Sequence, residues 1–197
     1  HEGDTLMSVT PEAVGIAVRR ALGAALSWDD IDFDVIHGPV VDPMINVAMD
    51  ETLVEDVAAG RRKPFMRLWE WNGPQVVIGS FQSYQNEIQQ DGVDRYGITV
   101  SRRVTGGGAM FMEPGNCITY SLVIPTALVE GMSFEQAYPY LDQWVMEVLE
   151  KLGIKAKYVP LNDIASEFGK IGGSAQKRWA NVYIVHHVNM AYYIDAI

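Results

Sequence analysis

The segment from residue 117 to residue 194 constrains the fold most, because its hydrophobic period changes twice. "CITYSLVI" alternates, with Ile118, Tyr120, Leu122 and Ile124 on one face of an extended strand that Pro125 closes. "SFEQAYPYLDQWVMEVLEKLG" then repeats at helical spacing. Ser133 and Gln136 stand at capping-box spacing, and Gly153 is the stop. Leu141, Trp144, Val145, Val148, Leu149 and Leu152 form the stripe expected to be buried. Pro139 should kink the first turns or delay the helix start, since it lacks an N–H and crowds the preceding turn. "VYIVHHVNMAYYI" returns to a strand pattern.

Upstream, the same mixture continues. "PMINVAMDETLVEDVAAG" reads as a helix from about Met44 to Ala59, ended by Gly60. "FMRLWEW" and "QVVIGSF" read as strands joined by the turn residues Asn72, Gly73 and Pro74, and "ITVSR" as another. This order of elements predicts an α+β fold: a mixed, largely antiparallel sheet with helices packed on it. Near the N-terminus, Thr10 and Pro11 cap a helix whose stripe is Val14, Ala17, Val18, Ala21, Leu22, Ala25 and Leu26. That stripe must dock on something. A change of composition at "SWDDIDFD" places a boundary near Asp30, giving a helical segment over 1–30 and a main domain over 31–197. The chain stops where a strand leads onward, so the main domain is expected to be incomplete there.

The formal net charge of -10 argues against sequence-independent nucleic-acid binding, which requires a basic surface. A local basic pocket for a small anion remains open. The single cysteine, Cys117, rules out an internal disulfide and fits a reducing compartment. No apolar run approaches the roughly 18 residues of a membrane helix, and no secretory pattern opens the chain. The expected location is cytoplasmic, with no membrane partner.

Two segments concentrate chemistry. "SRRVTGGGAMFMEPGNC" sets Arg102, Arg103 and Thr105 before Gly106, Gly107 and Gly108. Three glycines let backbone approach a ligand closely, and successive N–H groups form an anion nest. A surface turn with two solvated arginines explains this segment equally well. It is neither a Walker loop nor a dinucleotide fingerprint. In "LNDIASEFGKIGGSAQKR", Asn162 and Asp163 offer an amide and a carboxylate. There Lys170 precedes Gly172 and Gly173, as a point charge for a phosphate or developing oxyanion.

Together "NVAMDETL", "RLWEWNGPQVVIGSFQ", "RRVTGGGAMF", "EPGN", "LNDI" and "GKIGGSAQKR", in this order and spacing, resemble the lipoate–protein ligase family within the biotin/lipoate ligase fold. The resemblance implies ATP-dependent activation of lipoate to lipoyl-adenylate. The lipoyl group then passes to a lysine of an acceptor, a lipoyl domain of a 2-oxoacid dehydrogenase E2 subunit or a glycine-cleavage H protein. It implies ATP and Mg²⁺ as cofactors and an accessory domain, whose tail the 1–30 segment would be. By position, Lys170 would contact the acyl carbonyl and α-phosphate, and Arg102, Arg103 and Thr105 the acid and phosphate region. Gly106, Gly107, Gly108 and Ala109 would form the loop against the ligand, with Gly172 and Gly173 opposite. Asn116, Asn162 and Asp163 would complete the site, Asp163 as catalytic group and Mg²⁺ ligand. The apolar lipoyl chain needs a tunnel, expected from the strands of Trp69, Trp71, Val77 and Ile78.

The chain departs from the family where Met112 and Glu113 replace a common His-Asp pair. His186 and His187, as adjacent strand residues, should point to opposite faces and cannot readily chelate one ion. Two alternatives stay open. One is an octanoyl- or lipoyl-transferase of the same fold, which needs a cysteine nucleophile; Cys117 reads instead as a packed core residue. The other is a non-catalytic module that binds lipoate or the acceptor.

Overall fold

The computed structural model describes residues 26–179 and 183–191, together with 11, 14, 15, 17 and 18. Val14, Ala17 and Val18 of the expected N-terminal stripe are helical but exposed, and most of that helix lies outside the described residues. Leu26 and Ile31 pack with Ile124, Leu128, Leu141 and Ile184.

Among the described residues from Leu26 onward, ten strands and four α-helices follow. They are β1 (Asp34–His37), α1 (Pro43–Ala58), β2 (Phe65–Glu70), β3 (Gln75–Ile78), α2 (Tyr84–Glu87), α3 (Gln90–Tyr96), β4 (Thr99–Arg102) and β5 (Met110–Met112). After these come β6 (Cys117–Pro125), α4 (Phe134–Lys151), β7 (Ala156–Val159), β8 (Asp163–Ser166), β9 (Gly169–Trp179) and β10 (Tyr183–Ala191).

The α+β class holds, but the strands divide into two sheets. The main sheet runs β1-β2-β6-β10-β9-β8-β7 and is antiparallel except for β1 beside β2. A small sheet, β4-β3-β5, holds the strands that flank the glycine run. The Asn72-Gly73-Pro74 turn therefore passes the chain between sheets rather than joining neighbours. Trp69 and Trp71, just before that passage, are buried together with Val77, beyond it, and with Met112 and Cys117.

The β6 pattern needed correction. Ile118 is exposed, while Thr119 and Ser121 are as buried as Tyr120, Leu122 and Ile124. The cause is position: β6 lies between β2 and β10, with both faces covered. Helix α1 covers one face through Val54 and Val57 against Phe65, Val123 and Val185. Helix α4 covers the other through Val145 and Leu149 against Tyr120, Leu122 and Val188.

Helix α4 starts on the Ser133/Gln136 capping box as expected and runs through Pro139 without a break. Its buried face is Ala137, Tyr138, Leu141, Asp142, Val145 and Leu149; Val148 and Leu152 are exposed. Asp142 holds the centre of the interface, so counting only apolar positions rotates the stripe away from its true face.

Candidate functional site

Residues paired across an antiparallel sheet share a face, and successive residues alternate. On β10, His187 and Asn189 therefore face α1, with Ser121, Thr119, Arg67, Trp69 and Gly173 of neighbouring strands. His186 and Val188 face α4. The two histidines do point to opposite faces, as expected, and each meets a buried aspartate.

On the α4 face, Asp142 receives Tyr120 Oη at 2.6 Å, Ser174 Oγ at 2.5 Å and Tyr158 Oη at 3.1 Å, and lies 2.6 Å from His186 Nε2. Burial pushes this carboxyl up. Attraction to His186 and the hydrogen bonds from Ser174 and Tyr120 outweigh it, and the net shift is downward.

On the α1 face, Arg67 is wholly buried and forks onto α1, with Nη2 2.8 Å from Asp50 Oδ1 and 2.8 Å from the Asn46 carbonyl. Asp50 Oδ2 accepts from Ser121 Oγ at 2.8 Å and lies 3.3 Å from His187 Nδ1. Burial pushes the Asp50 carboxyl up; the His187 hydrogen bond, the Arg67 charge and Ser121 outweigh it and leave it lowered. Burial also lowers His187, and the neighbouring carboxylate only partly restores it. His187 is thus a neutral hydrogen-bonding ring at neutral pH, not an ion-pair partner.

The glycine segment is anchored to this face. Thr105 is fully buried, with Oγ1 2.6 Å from His187 Nε2. Its hydroxyl is an internal anchor instead of an exposed ligand contact. Of the two arginines, Arg103 is buried and Arg102 is exposed. Arg102 Nη1 donates to the carbonyls of Gly79 at 2.9 Å and Gln82 at 2.6 Å. Arg103 Nη2 donates to the carbonyls of Gly106 at 2.7 Å and Gly108 at 2.9 Å, and Nη1 to Val77 at 3.2 Å. The Arg103 fork braces the glycine loop from beneath, while the exposed Arg102 ties down the adjoining turn of residues 79–82.

That bracing orients the loop's donors. In a trans peptide, C=O and N–H point opposite ways. With the Gly106 and Gly108 carbonyls turned to Arg103, the N–H groups of Gly107 and Ala109 point away from it, and no described residue accepts from either. Gly107 has φ 96°, a conformation that favours glycine. The result is a pair of outward donors, on alternate residues, over a buried positive charge.

Lys170 reaches the same face through a β-bulge. Ile164 pairs with Gly172 and Ala165 with Lys170, leaving Ile171 extra. Ile171 packs with the α4-side cluster, as does Ile164 opposite Gly172. The bulge thus returns Lys170 to the α1 side, beside Gly173. A Cβ on Gly173 would stand 3.0 Å from Lys170 Nζ. Lys170 Nζ pairs with Asp163 Oδ1 at 2.6 Å, the lysine about half and the aspartate about a third exposed. Asn162 is tied to the same strand, donating to the Ser174 carbonyl at 2.6 Å. Contact by contact, the glycine loop reaches Thr105, then His187, then Asn189 one pleat along β10, then Gly173 opposite it, and Lys170.

On this face lies a small cavity of about 20 Å³ lined by Trp69, Trp71, Val77, Arg103, His187 and Asn189 among others. Three of the four strand residues expected at a tunnel bear on it or flank it; Ile78 is buried elsewhere. Trp69 Nε1 donates to Ser121 and Trp71 Nε1 to Thr119, which fixes both rings. Asn116 is buried, donates to Glu113 Oε2 at 2.9 Å, and has no described contact with the glycine loop. Met112, where the family often has histidine, is buried against the tryptophans. Cys117 is buried and its thiol is pushed up by burial.

Among the described residues no three His, Cys, Asp or Glu side chains converge on a metal site. No described helix is long and apolar enough to cross a membrane.

Sequence reading missed Asn46, Asp50, Arg67, Asp142 and Ser174. Four left a signal: Asn46 and Asp50 sit on the buried column of α1, Arg67 on the apolar face of β2, and Asp142 on that of α4.

The model of the lipoyl protein ligase A/B catalytic domain matches residues 42–196. Lipoate–protein ligase 1 of Staphylococcus aureus is 29% identical over 152 residues, covering 77% of this chain and 44% of that protein. Octanoyltransferase LipM of Anoxybacillus flavithermus is 30% identical over 169 residues, covering 73% of this chain and 60% of that protein. The chain thus spans less than two thirds of these relatives. Among solved structures, lipoate-protein ligase A bound with ATP superposes with TM-score 0.72 at 24% identity, over 83% of this chain and 68% of that one. A bipartite lipoate protein ligase of Thermoplasma acidophilum, described with its E2 lipoyl domain, gives TM-score 0.66 at 24% identity, over 84% and 63%.

Proposed function

The chain belongs to the lipoyl protein ligase A/B catalytic-domain family, and from that premise we propose that it activates lipoate with ATP and transfers the lipoyl group to a protein lysine. One observation carries the reading: Lys170, beside the side-chain-free Gly173, shares a sheet face with the arginine-braced glycine loop. In the first step the lipoate carboxylate attacks the α-phosphorus and pyrophosphate leaves. Negative charge crowds the reacting centre, and preorganised donors with a lysine in a partly dry site lower its energy most. The Gly107 and Ala109 N–H groups and Lys170 are those donors. Gly106 and Gly108 shape the backbone, Arg103 holds it, and the exposed Arg102 is left beside the site as a cation for the acid and phosphate.

In the second step the acceptor ammonium gives one proton to solvent, the resulting amine attacks the acyl carbon, the C–O bond to the phosphate breaks, and AMP leaves as the new amide loses its second proton to solvent. Asp163 orients Lys170 in the first step and steers the incoming ammonium in the second. Mg²⁺, when bound, neutralises phosphate charge, and Asp163 is the residue to share it. The lipoyl chain requires the cavity bounded by Trp69, Trp71 and Val77, about 20 Å³ as it stands, to widen on binding. Acceptors are lipoyl domains of 2-oxoacid dehydrogenase E2 subunits or a glycine-cleavage H protein. The archaeal neighbour described with its E2 lipoyl domain supports the first. In this reading residues 31–197 carry the catalytic domain, and 1–30 end an accessory domain. The cytoplasm holds all these reactants.

The LipM relatives raise a second reading, acyl transfer from an acylated carrier without ATP. The state of Cys117 favours the ligase: a buried thiol raised by its surroundings is a poor nucleophile. Mass spectrometry of a lipoyl domain incubated with the protein separates them. With lipoate, ATP and Mg²⁺, the domain should gain one lipoyl group, and Cys117→Ala should leave that gain intact. A gain from acylated carrier without ATP, lost in Cys117→Ala, would establish the transferase instead. Lipoate binding with no gain in either arm would mark a binding module.

A further inference from the structure

We propose that Asp50 and His187 are positioning residues that hold the Thr105 hydroxyl and, through it, the backbone cradle of residues 106–109. The proposal rests on the reading of that cradle as a ligand site. The hydrogen-bond directions follow from chemistry. An ionised Asp50 only accepts, so His187 Nδ1, 3.3 Å from Oδ2, carries the proton. A neutral ring then has a bare Nε2, and the Thr105 O–H 2.6 Å away must donate to it. Asp50 is in turn fixed by Arg67 and Ser121. One chain of bonds thus runs from α1 through β10 to the residue that opens the glycine run.

The loop needs such an anchor. Three consecutive glycines have more conformational freedom than any other tripeptide, and Thr105 is the side chain adjoining them. It is fully buried, so its hydroxyl has no water to turn to. Were His187 to gain a proton, Nε2–H would become a donor, and the Thr105 hydroxyl would lose its acceptor. The loop would have to shift.

The charged groups facing His187 are Asp50 from α1, Arg67 beside it on β2, and Arg103 from the segment after β4. His186, next along β10, faces the opposite side toward Asp142. Burial and the cation Arg103 oppose protonation; Asp50 alone favours it, so the change falls on the acid side of an ordinary histidine. This network is unlike a packing cluster in one respect: its effect on the loop depends on where one proton sits.

Two measurements on the whole chain test it. The first needs no activity: ¹⁵N spectra of the imidazoles and of the loop amides, recorded from about pH 8 down to pH 5. His187 should show the Nδ1–H neutral form at neutral pH, and the amides of Gly106, Gly107 and Gly108 should follow its titration. In Thr105→Val, which keeps the shape and removes the hydroxyl, the loop amides should no longer follow it. The second is lipoate-dependent ATP–pyrophosphate exchange. Thr105→Val should raise KM for ATP about tenfold, the worth of one lost hydrogen bond, with kcat less affected, and Thr105→Ser should restore it. An Nε2–H tautomer, or loop amides indifferent to His187, would overturn the relay. So would a Thr105→Val protein that loses stability with KM unchanged. Absence of exchange in every variant, wild type included, with the loop amides tracking His187, would refute the ligase reading and leave the relay standing.

Discussion

Lys170→Ala will lower lipoate-dependent ATP–pyrophosphate exchange by about 10²–10³-fold, the effect of removing one preorganised charge donor from a reacting centre. Its melting temperature should hardly move. The two expectations come from the same geometry. Lys170 and Asp163 are each substantially exposed, and an exposed ion pair contributes about 0–1 kcal/mol. The lysine therefore does little for the fold. Its position is nonetheless built with care: an extra residue, Ile171, turns the side chain onto the α1 side, and Gly173 leaves room beside the ammonium. Lys170→Arg should fare little better, because a planar guanidinium does not replace a compact point charge in that space. Exchange that survives in Lys170→Ala would remove the lysine from the mechanism.

The second large effect is expected at a residue outside the site. A Cβ on Gly79 would be driven into the carbonyl of Gly107, well inside van der Waals contact. The carbonyl cannot simply move. The peptides on both sides of it are held by Arg103, and the Gly79 carbonyl by Arg102. Gly79→Ala should therefore cost about 1–3 kcal/mol of stability, as overpacking does, and displace the loop donors together with exchange activity. Gly108→Ala is the control. Its Cβ would meet nothing within 4 Å, and its backbone lies outside the left-handed region. Stability should change by less than about 0.5 kcal/mol. Denaturant midpoints and exchange rates of the pair check this. Equal behaviour of the two variants would mean that the loop is not held as described.

The sequence carried local facts well. Period and turn residues placed the strands near 65, 75, 99, 117 and 183, and Ser133 with Gln136 set the start of α4. The glycines and Lys170 were visible because each is unusual for its surroundings. What escaped depends on residues far apart in the chain. Thr105 and His187 are 82 residues apart, and nothing near either announces their bond. Arg102 and Arg103 look like ligand cations in sequence. Their hydrogen bonds to carbonyls of residues 77 to 108, and the burial of Arg103, are properties of the small sheet. The bulge at Ile171 was hidden because a strand pattern does not show an inserted residue. Arg67, Asp50 and Asp142 left a trace that apolar counting discards: a charged residue recurring on an otherwise apolar face marks a partner across the core.

The account stands or falls on whether the glycine loop and Lys170 hold the same molecule. A non-hydrolysable analogue of lipoyl-adenylate, titrated into ¹⁵N-labelled protein, tests this directly. The amides of Gly107 and Ala109 and the Lys170 ammonium should respond together, saturating at one stoichiometric equivalent with one Kd. Loop amides and Lys170 responding with separate affinities, or only one of them responding, would contradict it.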